Sequence, residues 1–131
     1  MGEQQNIAQI TKMYEAFGRG DVAFITDQLT DDVRWVSHFE PIVPWAGDFS
    51  GKAQVPRVFQ AIGESVDVTA FNPKEFVAQG ETVVSTGEFG VRVRATGKSA
   101  LTPWVFIWKF RDGKISSYEQ FHDASIANAF R

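Results

Sequence analysis

The chain has 131 residues, 44% hydrophobic, 14% aromatic and 22% charged, with a formal net charge of -3 and a pI near 5.3. That length predicts one domain over 1–131 that buries roughly two-thirds of its unfolded surface, and the composition excludes a disordered chain. The absence of cysteine excludes disulfides, thiolate metal sites and a thiol nucleophile.

Helices come first. Ile7, Ile10, Tyr14 and Phe17 recur at helical spacing and predict a helix over 6–17, stopped by Gly18 and Gly20. Asp21 then caps a short second helix carrying Val22, Ile25 and Leu29. After the polar turn Thr30-Asp31-Asp32, Val33 to Ser37 reads as a strand. From His38 to Ser50 the chain is irregular, broken by Pro41, Pro44 and Gly47, with Trp45 placed either in a lid or as a ring pinning the loop. Gly51 opens a third helix with Val55, Val58, Phe59 and Ile62 on its apolar face and Pro56 in its first turns.

From Ser65 the hydrophobic period changes to two. Val66 to Ala78 is a strand that Asn72-Pro73 marks as bulged or at a sheet edge. Glu81 to Ala95, Ser99 to Phe110 and Ile115 to Phe121 follow as three more, joined by turns at Gln79-Gly80, Thr96-Gly97 and Asp112-Gly113. A short helix over 123–130, with Asp123 as its N-cap, ends the chain. Helices followed by an antiparallel meander predict an α+β fold.

Local phrases sharpen this pattern. Tyr14-Glu15-Ala16-Phe17 precedes Gly20-Asp21, and Leu29-Thr30-Asp31-Asp32-Val33-Arg34-Trp35 follows. Phe49-Ser50-Gly51-Lys52 precedes the third helix, and Phe110-Arg111-Asp112-Gly113-Lys114-Ile115 comes near the end. With the element order, these resemble the nuclear transport factor 2-like superfamily, in its SnoaL-like and ketosteroid-isomerase-related branch. The resemblance implies a cone-shaped α+β barrel, a strongly curved antiparallel sheet wrapped around the N-terminal helices. It also implies a pocket on the concave side and a homodimer through the convex sheet face.

On that pattern, strand alternation sends Trp35 and Ser37, then Gly87, Phe89 and Val91, then Thr102, Trp104 and Phe106, then Tyr118, Gln120 and His122 inward. Tyr14 and Phe17 join them from the first helix and Phe59 from the third, while Val93, Val105, Ile107 and Phe121 are expected on the other face. The substrate-binding set is therefore Trp35, Ser37, His38, Phe59, Phe89, Trp104, Phe106, Tyr118 and Gln120, with His38 at the mouth. So ring-rich a lining suits a flat apolar molecule.

The branch's catalytic groups are not matched. The resemblance places the ketosteroid isomerase base at Ser37, its oxyanion carboxyl at Phe106 and its tyrosine at Met13 or Tyr14. It places the SnoaL-type His and Asp at Phe106 and Gln120. The residues that remain as candidate catalysts are His122, since imidazole titrates at about 6.5, and Tyr14 as a hydrogen-bond donor. The expected function is binding of a small hydrophobic, cyclic or aromatic molecule, with cofactor-free acid–base isomerase, dehydratase or cyclase chemistry. The alternative is a non-catalytic binding domain or a dimeric assembly domain.

No metal is expected from two histidines without ligand spacing, and no nucleotide without a glycine-rich phosphate loop. A mildly acidic chain without a basic stripe predicts neither nucleic acid nor membrane as partner. A polar N-terminal segment, and no run of about 20 apolar residues, lead to the expectation of a cytoplasmic protein.

Overall fold

Apolar side chains at helical spacing build α1 over Glu3–Gly18 in a computed structural model that describes residues 2–131. Its buried stripe includes Ile10, Met13, Tyr14 and Ala16. A Schellman turn ends it: Gly20 takes φ +73, its N–H donates to the Phe17 carbonyl, and the Asp21 N–H donates to the Ala16 carbonyl. Asp21 caps α2, Val22–Asp27, by accepting from the Phe24 N–H at 3.1 Å. Leu29, which the spacing assigns to this helix, instead begins β1 and pairs with Ile115. The helix has already ended at Asp27, and the coincidence of an i, i+4 spacing does not extend it.

β1 covers Leu29–His38, longer than expected, and β2 is the pair Gly47–Asp48, unforeseen inside the irregular stretch. The chain after β2 keeps following β1, with Phe49 N–H donating to the Trp35 carbonyl and Gly51 N–H to the Val33 carbonyl. These bonds tie the 38–50 segment to the body, and Trp45 is buried with its ring edge-on to Phe39 and Phe130. α3 spans Pro56–Ser65, with proline in its first turn, where a missing N–H costs least.

The remaining strands are β3 (Val66–Gln79), β4 (Thr82–Val93), β5 (Ser99–Arg111) and β6 (Lys114–His122), followed by α4, Ser125–Ala129. They form a six-stranded curved sheet that does not close, in the order β2-β1-β6-β5-β4-β3. β3 to β6 run as an antiparallel meander, whereas β1 lies parallel to β6. The β5–β6 hairpin turns on Asp112 and Gly113, both at positive φ, as a tight type I′ turn demands.

β3 is an edge strand with two register shifts, one at Thr69 and one at Lys74, beside the predicted irregularity at Asn72-Pro73. Val93 corrects the expected outer face. It shares the parity of Phe89 and Val91, so it is fully buried on the inner side. Asp123 does not cap α4 in the strict sense. Ala124 occupies that position, while Asp123 Oδ1 accepts from the Ser125 N–H at 2.9 Å and from Thr102 Oγ1 at 3.0 Å.

Candidate functional site

The inner faces of β1, β4, β5 and β6 present their rings to one another beneath α1 and α3. Trp104 and Phe106 stack at 3.8 Å, Trp35 and Tyr118 meet at 4.1 Å, and Trp108 and Tyr118 at 4.2 Å. Aromatic pairs at such separations add packing energy beyond their buried area. Together they fill most of the cone and leave a cavity of about 70 Å³.

Of the residues expected to face this space, Tyr14, Phe17, Trp35, Phe59, Phe89, Phe106, Tyr118 and Gln120 line it. Trp104 is buried but does not reach the cavity. Its ring lies against Phe106 on one side and over Gly87 on the other. Ser37 is buried one step back, where it accepts a 2.7 Å hydrogen bond from Gln120 Nε2.

His38 is placed on the opposite face of the sheet from the pocket. Alternation along β1 turns it away from Ser37, its ring stacks on Phe121 at 4.5 Å, and its Nε2 meets Glu119 Oε2 at 2.8 Å. His122 shares the inner parity of Tyr118 and Gln120, yet it does not line the cavity either. It stacks on Phe39 at 3.5 Å, and its Nε2 lies 2.7 Å from Gln120 Oε1. Its Nδ1 is buried and meets no hydrogen-bond partner among the described residues.

The sequence reading leaves out Trp108, Phe71 and Trp45, all of which line the cavity. Trp108 shares the parity of Trp104 and Phe106, so alternation carried one step further reaches it. Phe71 follows the bulge at Thr69, which shifts the strand's parity, and Trp45 comes from the irregular segment, where no period applies.

Hydrogen-bonding groups are few. Trp108 Nε1–H donates to the Tyr14 hydroxyl at 3.0 Å, and the buried Ser85 hydroxyl is a second hydrogen-bonding neighbour of that group. Trp35 keeps a buried indole N–H that has no acceptor among the described residues. Gln120 offers its amide edge. Among the described residues, no charged side chain lines the cavity.

Burial pushes the phenols of Tyr14 and Tyr118 well above their ordinary range; the Ser85 and Trp108 side chains partly oppose the rise at Tyr14. Both are therefore neutral hydrogen-bonding groups at any physiological pH. Burial also holds the His122 imidazole down, at about 4, against the pull of the His38 backbone and Asp123. Among the described residues, no three His, Cys, Asp or Glu side chains gather as a metal ion would need. Nor is any helix of the described residues long and apolar enough to cross a membrane.

Similar structures share this architecture. An NTF2-like protein from Burkholderia xenovorans LB400 is 31% identical, with 100% of this chain and 99% of that one aligned at a TM-score of 0.89. An NTF2-like protein from Burkholderia thailandensis E264 is 27% identical over 100% of this chain and 99% of its own, at 0.87. TerC, co-crystallised with polyporic acid, is 27% identical over 91% of this chain and 92% of its own, at 0.77. No curated protein matches the chain. The family model described as SnoaL-like domain matches residues 10–118, from the middle of α1 to the ring of Tyr118, and the chain belongs to that family.

Proposed function

We propose that the chain binds a small, flat, uncharged hydrophobic molecule, gripped by the rings of the cone and oriented by Tyr14 and Gln120. The observation that carries this reading is the Tyr14 hydroxyl. It is buried, it accepts from Trp108, and its O–H, with the Ser85 hydroxyl as neighbour, can turn to a ligand oxygen in a cavity walled mainly by aromatic and aliphatic side chains. Such a donor recognises a carbonyl or quinone oxygen. A few convergent polar groups in an apolar lining are the usual construction of a ligand site. The likeness to a protein co-crystallised with polyporic acid, a diphenyl-substituted hydroxyquinone, supports flat ring systems as the class to try.

Binding is favoured over catalysis. Acid–base chemistry needs a group that exchanges protons within reach of the ligand. The cavity is lined by no carboxylate and no imidazole among the described residues, and Gln120, which stands between it and His122, is an amide. The cavity also falls short of the roughly 300 Å³ of a small ligand pocket, so the ligand must displace rings to enter.

A thermal-shift panel of aromatic ketones and hydroxyquinones, polyporic acid among them, tests the reading. Ligand at a hundredfold its dissociation constant adds about 2.7 kcal/mol, which in a domain of this size raises the midpoint by on the order of 10 °C. Neutral ketones should bind at least as well as ionised hydroxyquinones, since no cation among the described residues lines the cavity. Tyr14→Phe should weaken the best ligand about tenfold, the worth of one such hydrogen bond. A panel without hits, or a Tyr14→Phe protein that binds every hit unchanged, would sink the reading.

A further inference from the structure

A second hollow, of about 420 Å³, opens between the end of α1, α2, α3 and the edge strand β3. It is separated from the inner cavity by side chains that line both: Phe17, Phe59 and Phe71, with Ile25 and Ile62. The Phe17 ring lies 6.0 Å from Phe59 and 5.1 Å from Phe71. All three phenylalanines are partly exposed, so the partition borders solvent on one side.

The outer wall is built of what is missing. Gly18, Gly20 and Gly63 line the hollow, and a Cβ added at any of them meets nothing within 4 Å. Gly63 lies within α3 at an ordinary helical φ, where a helix favours alanine. Neither close packing nor backbone geometry calls for a glycine there, and its consequence is open space. Val68, exposed on the edge strand, supplies apolar surface opposite. Among the described residues, Asp21 is the one charged side chain lining the hollow, and it is engaged with the Phe24 N–H and with Arg19.

We infer that this hollow is the second compartment of the binding site, and that the ligand is an elongated molecule of at least two rings, uncharged at the end that enters the inner cavity. Its oxygen-bearing ring enters the inner cavity, and its second ring lies between Gly63 and Val68. The inference rests on the binding proposed for the inner cavity and extends it to ligand length and charge. It accounts for how so small a cavity takes a ring: the phenylalanine partition opens, and the ligand itself replaces it. Among the described residues no Lys or Arg lines the inner cavity, so a carboxylate on the ring that enters it meets no counter-charge, whereas at the outer end Arg94 donates to the Gly63 carbonyl at 2.8 Å and pairs with Asp67 at 3.0 Å.

The test uses two ketones that share one head group, acetophenone and 4-acetylbiphenyl, titrated against the full chain with tryptophan fluorescence as the readout. The biphenyl should bind at least tenfold more tightly, the expected return for burying a second ring. Gly63→Leu, from the helix, and Val68→Trp, from the strand, should each erase that tenfold advantage while acetophenone binds within about twofold of wild type. Retained acetophenone binding shows that each variant is folded. If both variants bind 4-acetylbiphenyl as wild type does, the second compartment is overturned and the inner site stands. If neither ketone binds wild type, the inner site falls and the extension with it.

Discussion

A buried imidazole stays neutral when the cost of desolvating its cation exceeds the help it receives from nearby carboxylates. His122 is in that position: its pKa is pushed down to about 4 by burial and by His38, with Asp123 and the His38 backbone pulling the other way. The unfolded chain takes this proton at about 6.5 and the folded chain only near 4. The associated stability is therefore fully present above pH 6.5 and is lost as the pH falls toward 4. By pH 5 the loss should be on the order of 2 kcal/mol. Carboxylates held low, such as Glu119 by His38 and Arg34, add their loss at the acid end of that window. Denaturant midpoints at pH 7 and 5 check this. His122→Gln should lose far less than wild type over that interval, and parallel losses would show that the imidazole is not the titrating group. The sequence singles out this histidine correctly as inward-facing, but alternation says only which side a residue faces. It does not say that Phe39 covers the ring or that Gln120 stands between it and the cavity.

At the scale of elements, the curvature of the sheet comes from β3 and β4 acting together. The two extra residues of β3, at Thr69 and Lys74, lie opposite Gly90 and Gly87 of β4. Bulges bend and twist a strand, and the facing backbone must let the bent one approach. A Cβ at Gly87 would sit 2.5 Å from the Asn72 carbonyl oxygen and 2.7 Å from Trp104 Cε2, and one at Gly90 would sit 2.7 Å from Thr69 Oγ1. Asn72 is backbone and Trp104 is fully packed, so neither can yield cheaply at Gly87. Gly87→Ala should cost about 2–3 kcal/mol, seen as a fall in the melting midpoint on the order of 10 °C. A shift below about 2 °C would mean that the bulged strand simply moves aside. Asn72-Pro73 makes part of this geometry visible in the sequence, because proline is tolerated only at a bulge or an edge. Thr69 carries no such mark, so the parity shift it causes hides Phe71.

At the scale of the whole molecule, helix-then-meander order is legible because it follows from local periods and turn residues. The parallel pairing of β1 with β6 is not, because it joins segments about eighty residues apart with no turn to announce it. Cavity volume is equally hidden: the same rings could line an open cone or fill one, and only their packing decides. What the alternation does expose is the outer face. Val105 and Phe121 stand directly across from each other on β5 and β6, 39% exposed each, with Leu101 at 52% on the same side of β5. Beside them Glu119 is paired with Arg34 at 2.7 Å and with His38 at 2.8 Å, so the patch carries little net charge of either sign. A surface that is apolar at its centre and internally neutralised around it can meet its own copy across a two-fold axis without repulsion. A second copy of this chain is therefore expected there, and light scattering at micromolar concentration should give the mass of two chains. Phe121→Glu places like charges against each other across the axis and should give the mass of one, with the melting midpoint measured alongside to show that the monomer is folded. A wild-type protein of single-chain mass would remove the dimer and leave these side chains as ordinary exposed apolar surface.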